Sequence, residues 1–122
     1  MKIDKIYVIN LTRPNNAIIS KLNKLPVEGE YFIMDACNGW KLVKGEEKPK
    51  FNYKVADWWK IDHEHNFYNR EVTPGEIGCG LSHYECVKMG YDEGHETILI
   101  LEEDWIYNGE WPSEKTLNSI PN

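Results

Sequence analysis

The chain lacks any apolar run near the roughly 18 residues needed to cross a bilayer; its most hydrophobic strip is Ile98-Leu99-Ile100-Leu101. No membrane span is expected. Basic residues are in deficit, with 14 Lys and Arg against 20 Asp and Glu for a net charge of −6. The lysines are scattered, so the concentrated basic face that nucleic acid or anionic lipid demands is missing, and no nucleic-acid partner is expected. Cysteine is scarce. Cys37, Cys79 and Cys86 cannot all pair within the chain, and none forms a CxxC spacing, which excludes a disulfide framework and predicts reduced structural thiols. The amino terminus has neither the h-region nor the small-residue cleavage site of a signal peptide, so an intracellular, cytoplasmic location is expected. Repeats and low-complexity tracts are absent. What the 122 residues do have is 41% hydrophobic and 12% aromatic content, enough for one compact globular domain.

Lys5 to Leu11 reads KIYVINL, a β-branched and aromatic run that predicts a buried first strand. Ala17, Ile18, Leu22 and Leu25 then recur at helical spacing before Pro26, a short amphipathic helix. Tyr31 to Met34 predicts a second strand, closed by Asp35-Ala36-Cys37-Asn38-Gly39, where Asn and Gly favour a turn. A βαβ unit is complete at that point. From about 40 to 70 the periodicity dissolves into an irregular excursion rich in Lys, Glu and aromatics. Thr73-Pro74-Gly75-Glu76 restores order, since Thr at the cap, Pro at the first helical position and Glu three residues after the cap form a capping box. In the helix that follows, Ile77, Leu81, Tyr84, Val87 and Tyr91 fall along one side. Gly78 and Ser82 form a small-residue stripe where another backbone can approach. Gly94 should end the helix. Thr97 to Leu101 is apolar from Ile98 onward and reads as a central parallel strand covered on both faces. Pro112 and Ser113 open a last short helix.

In open α/β sheets the ligand crevice lies outside the carboxyl ends of the strands. Three segments stand there: Asn10 to Arg13, Asp35 to Gly39, and Glu102-Glu103-Asp104. Arg13 carries a planar fork that matches phosphate oxygens. The acidic triplet crowds three carboxylates onto one turn, a repulsion that a divalent cation relieves. Hard oxygen ligands select Mg²⁺ or Mn²⁺, which can neutralise a diphosphate leaving group. Asp62-His63-Glu64-His65 could chelate a transition ion, but with no distant third ligand at suitable spacing a solvated loop is the expectation. His83 lies within an amphipathic helix and reads as a packing or hydrogen-bonding residue, and no catalytic base or nucleophile is assigned.

The string Thr73-Pro74-Gly75-Glu76-Ile77-Gly78-Cys79-Gly80-Leu81-Ser82-His83, followed by Ile98-Leu99-Ile100-Leu101-Glu102-Glu103-Asp104, resembles glycosyltransferase family 25. That family includes lipooligosaccharide-type sugar transferases and collagen galactosyltransferases. Ile9-Asn10-Leu11-Thr12-Arg13 is similar to its "INLxR" strand end and Ala36-Cys37-Asn38-Gly39 to its "AxxG" turn. The resemblance implies an α/β, Rossmann-like fold of GT-A type that binds a nucleotide sugar, and a UDP-sugar donor. It implies nucleotide-sugar contacts at Asn10, Thr12, Arg13, Ala36, Gly39 and Ser82, and a DxD-like metal motif at Glu102, Glu103 and Asp104 holding Mn²⁺ or Mg²⁺. The implied reaction is transfer of a sugar, with galactose a candidate, to a saccharide or glycan hydroxyl. The chain departs from the pattern at Glu103, where the family usually has Asp, at Thr12, where an acid is common, and at Asn38, where Asp is frequent. Family members also continue beyond the acidic motif, so a partial domain is expected. The alternative is a truncated, non-catalytic nucleotide-binding or self-associating module, with self-association covering its exposed edges.

Overall fold

The computed structural model describes residues 2–59, 64, 66 and 70–121, the side chain of Trp58 excepted. Of the Asp62–His65 set, only Glu64 falls among them. The chain divides into two compact units, residues 1–35 with 86–122, and residues 36–85.

The first unit is built on strand β1, Lys5–Asn10. Its β-branched side chains favour extended backbone, and Ile6 to Asn10 are buried throughout. Helix α1, Asn15–Leu22, buries Ile18 and Leu22 and returns the chain to β2, Glu30–Asp35. Strand β3, Ile98–Glu102, follows much later. The sheet order is β2-β1-β3 and both pairings are parallel, with Ile9 opposite Met34 on one side and Glu102 on the other. This is a small α/β arrangement with a three-stranded parallel sheet, compatible with a Rossmann-like fold.

Alternation along β1 serves two faces. Ile6 and Val8 join Ile18, Leu22 and Leu25 in the main core, against which Ile33, Leu99, Leu101, Trp105 and Trp111 pack. Each large apolar side chain fully removed from water there contributes roughly 1.5–3 kcal/mol. On the other face Tyr7 is fully buried, and Gly90 brings its helix close: a Cβ there would lie 3.1 Å from Ile98 and 3.7 Å from the Tyr7 ring. At the strands' starting ends, the Asp4 carboxylate accepts from the amides of Glu96 and Thr97 at 2.9 and 3.0 Å, and Lys5 pairs with Glu93 at 2.7 Å.

Two expectations are corrected. The ILIL run is an edge strand, not the central one; β1 takes the centre. The run is also only half-buried along its length, short of the expected cover on both faces, and an apolar run says nothing of neighbours on both edges. Helix α3, Pro74–Asp92, does not bury its large apolar stripe as a whole: Tyr84, Val87 and Tyr91 are 54%, 54% and 84% exposed. Its buried positions are instead Gly78, Ser82, Cys86 and Gly90, because side chains this small let neighbours close in, backbone of Cys37 at Gly78 and Ser82 and side chains of Met34 and Ile98 at Cys86 and Gly90.

In the second unit, helix α2, Gly39–Val43, is capped by the Asn38 side chain, which accepts from the amides of Trp40 and Lys41. The capping box forms as expected, with Thr73 Oγ1 accepting from the Glu76 amide at 3.2 Å. Gly94, at φ 78°, ends α3. Helix α4, Glu114–Asn118, is capped by Ser113. No helix among the described residues is long and apolar enough to cross a membrane.

Candidate functional site

The carboxyl ends of β1 and β3 lie side by side because the two strands pair in parallel register. The ladder runs one residue past β3, the Glu103 N–H donating to Ile9 O at 3.0 Å. That bond fixes where the acidic triplet leaves the sheet. Asn10, 8% exposed, closes the turn after β1 on itself: its Nδ2 donates to Arg13 O at 2.7 Å and its Oδ1 accepts from Arg13 N at 3.0 Å.

Glu103 closes the same turn from the other strand. Its Oε2 accepts from the amides of Thr12 at 3.2 Å and Arg13 at 3.1 Å, and its Oε1 lies 3.5 Å from Thr12 Oγ1. Partial burial pushes this carboxyl upward, but amide hydrogen bonds from Thr12, Arg13 and Leu11, with the Arg13 charge, outweigh it and hold the group below the usual carboxylate range. Glu102 and Asp104 are exposed while Glu103 is half-buried. All three side chains are carboxylates, the oxygen donors a hard divalent cation takes, but among the described residues the three do not gather within reach of one ion, and Glu103 is engaged with the turn.

One residue that sequence reasoning had left aside belongs here. Lys21, in the last turn of α1, donates from Nζ to Glu103 O at 2.8 Å and lies 4.1 Å from the centre of the Trp105 ring. Burial pushes its ammonium down and the Arg13 charge adds to that, while Asp104 and Glu103 oppose it. The available signal was a cation in the last turn of a helix that begins beside the β1 end, in a chain with acids after β3.

Ala36, Gly39 and Ser82 belong to the second unit. There Gly39 and Ser82 serve backbone packing. A Cβ on Gly39 would lie 1.6 Å from Pro74 O, and one on Gly78 would lie 2.6 Å from Cys37 O. Ser82, 1% exposed, accepts from Cys37 N at 2.9 Å and donates to Gly78 O at 2.8 Å. The Ala36–Gly39 turn and the first turns of α3 are thus locked together through glycine and serine. His83 Nδ1 lies 2.9 Å from Cys79 O, one helical turn back. None of the three cysteines is in a disulfide, and burial pushes the Cys37 thiol up, away from a reactive thiolate.

The model of the family described as glycosyltransferase family 25 (LPS biosynthesis protein) matches residues 3–116. The chain is 31% identical over 118 residues to the procollagen lysyl hydroxylase and glycosyltransferase of Acanthamoeba polyphaga mimivirus, covering 86% of this chain and 12% of that protein. It is 31% identical over 105 residues to human procollagen galactosyltransferase 2, covering 85% of this chain and 16% of that protein. A human protein named inactive glycosyltransferase 25 family member 3 is 26% identical over 108 residues, covering 83% of this chain and 16% of its own length. The chain thus spans 12–16% of the length of these relatives. No solved structure matches it.

Proposed function

Because the chain belongs to glycosyltransferase family 25, we propose that it carries the donor-binding part of a GT-A type sugar transferase. The donor is a UDP-sugar, with galactose the first candidate, and the acceptor is a saccharide or glycan hydroxyl. The observation that carries this reading is the joining of the two strand ends: Glu103, beyond β3, holds the amides of Thr12 and Arg13, beyond β1. Ligands in open α/β sheets bind at just such ends.

In this reading Arg13 meets phosphate oxygens with its exposed guanidinium, and Asn10 and Thr12 line the nucleotide side. Ala36, Gly39 and Ser82 remain in the proposal as positions the family resemblance implies. Of the acidic triplet proposed for the metal, the Glu102 and Asp104 carboxylates would hold Mn²⁺ or Mg²⁺, since that of Glu103 is engaged with the turn. Such an ion supplies Lewis-acid neutralisation of the departing diphosphate. Calorimetric titration of UDP in the presence of Mn²⁺ tests the proposal, comparing the wild-type chain with a Glu102→Ala, Asp104→Ala variant. Binding that weakens by about tenfold or more, some 1.4 kcal/mol, supports the metal site; identical heats remove it.

A second reading is a nucleotide-binding module without transfer activity. It is favoured by the similarity to a family member whose name calls it inactive. UDP binding without transfer to any glycan hydroxyl distinguishes it.

A further inference from the structure

We infer that Glu103 is a positioning residue, whose carboxylate holds the Leu11–Arg13 turn in the shape that presents Thr12 and Arg13 to the donor, and that it does this in place of ligating the cation. The inference rests on the nucleotide-sugar reading of these strand ends.

Glu103 is pinned at three points. Its N–H donates to Ile9 O, its carbonyl accepts from Lys21 Nζ, and its Oε2 takes two amide hydrogens, those of Thr12 and Arg13. With both main-chain groups fixed, the carboxylate can rise from the strand end in only a narrow set of directions. A divalent ion on Oε2 would be pushed away by the two N–H dipoles that already point at that oxygen. Glu102 and Asp104, on either side, are exposed. The triplet therefore divides its work: the outer two face solvent and the ion, and the middle one faces the turn. The Arg13 amide is shared between Glu103 Oε2 and Asn10 Oδ1, so removing Glu103 leaves the turn held by Asn10 alone.

The test compares Glu103→Ala, Glu103→Gln and Asp104→Ala with the wild-type chain, using three readouts. They are Mn²⁺ affinity by electron paramagnetic resonance with the metal alone, amide exchange at Thr12 and Arg13, and UDP affinity in EDTA and in Mn²⁺. Glutamine keeps an amide-accepting oxygen but is a poor cation ligand. Expected are unchanged Mn²⁺ affinity in both Glu103 variants and a loss in Asp104→Ala. Exchange should quicken and UDP binding weaken by about tenfold in Glu103→Ala, by the same factor with and without Mn²⁺. Both should recover in Glu103→Gln. Loss of Mn²⁺ affinity in Glu103→Gln equal to that of Asp104→Ala overturns the inference, as does unchanged exchange in Glu103→Ala. If Glu103→Ala fails to fold, Glu103→Gln decides through its Mn²⁺ affinity. A wild-type chain that binds no UDP defeats the nucleotide reading and the presentation of the turn with it, while exchange still decides whether Glu103 holds the turn.

Discussion

The sheet unit and the unit of residues 36–85 hold their motif residues by different means. In the sheet unit, charged side chains do the holding: Glu103 grips the turn after β1, Asp4 grips the start of β3, and Lys21 reaches the chain beyond it. In residues 36–85 the strongest sequence signature is satisfied by close approach of backbone, with Gly39 against Pro74 and Gly78 against Cys37. Side chains that reach across strand ends remain chemically active groups near solvent. Glycines pressed on a carbonyl do not. A string specific enough to identify a family can therefore be specific for packing.

The contrast breaks most readily at Gly39. Gly39→Ala must displace the Pro74 carbonyl, and about 3 kcal/mol of destabilisation is expected in urea unfolding. An unchanged midpoint would mean that the two helix starts are not in backbone contact. Ser82→Ala comes next. It leaves the Cys37 amide without its acceptor in a buried setting, a loss of about 1–3 kcal/mol, read from the same unfolding curves; a neutral substitution would make Ser82 free for another role.

The smallest effect sharpens the sheet side. Asp4 is held below its ordinary value of 3.8 by the amides of Thr97 and then Glu96. A carboxyl depressed on folding gives stability that is fully present above the unfolded value and is lost as pH falls through the folded one. Acid unfolding of Asp4→Asn should therefore show a flatter stability profile below pH 3.8 than the wild-type chain. Parallel profiles would detach Asp4 from the hold on β3.

Much of this fold is legible in sequence because local chemistry specifies it. β1, α1 and β2 follow from periodicity and turn residues, and the start of α3 follows from Thr73, Pro74 and Glu76. The buried side of α3 is not legible, because periodicity ranks positions by apolar size while this helix is buried at Gly78, Ser82, Cys86 and Gly90, where smallness matters. The central position of β1 was hidden for a similar reason, since an apolar run does not report strand neighbours. At the candidate site, the turn after β1 and the acids after β3 were readable as places. Their junction was not, because Glu103 and Arg13 are 90 residues apart and no local spacing encodes that pairing.

The central claim is that the ends of β1 and β3 form one site for a divalent ion and a diphosphate. Paramagnetic line broadening of the amide NMR spectrum, on adding Mn²⁺ with UDP to the whole chain, tests it most directly. The account predicts that signals of residues 11–13 and 102–104 fade first and together. Fading centred elsewhere, or spread evenly over the acidic surface, would contradict it.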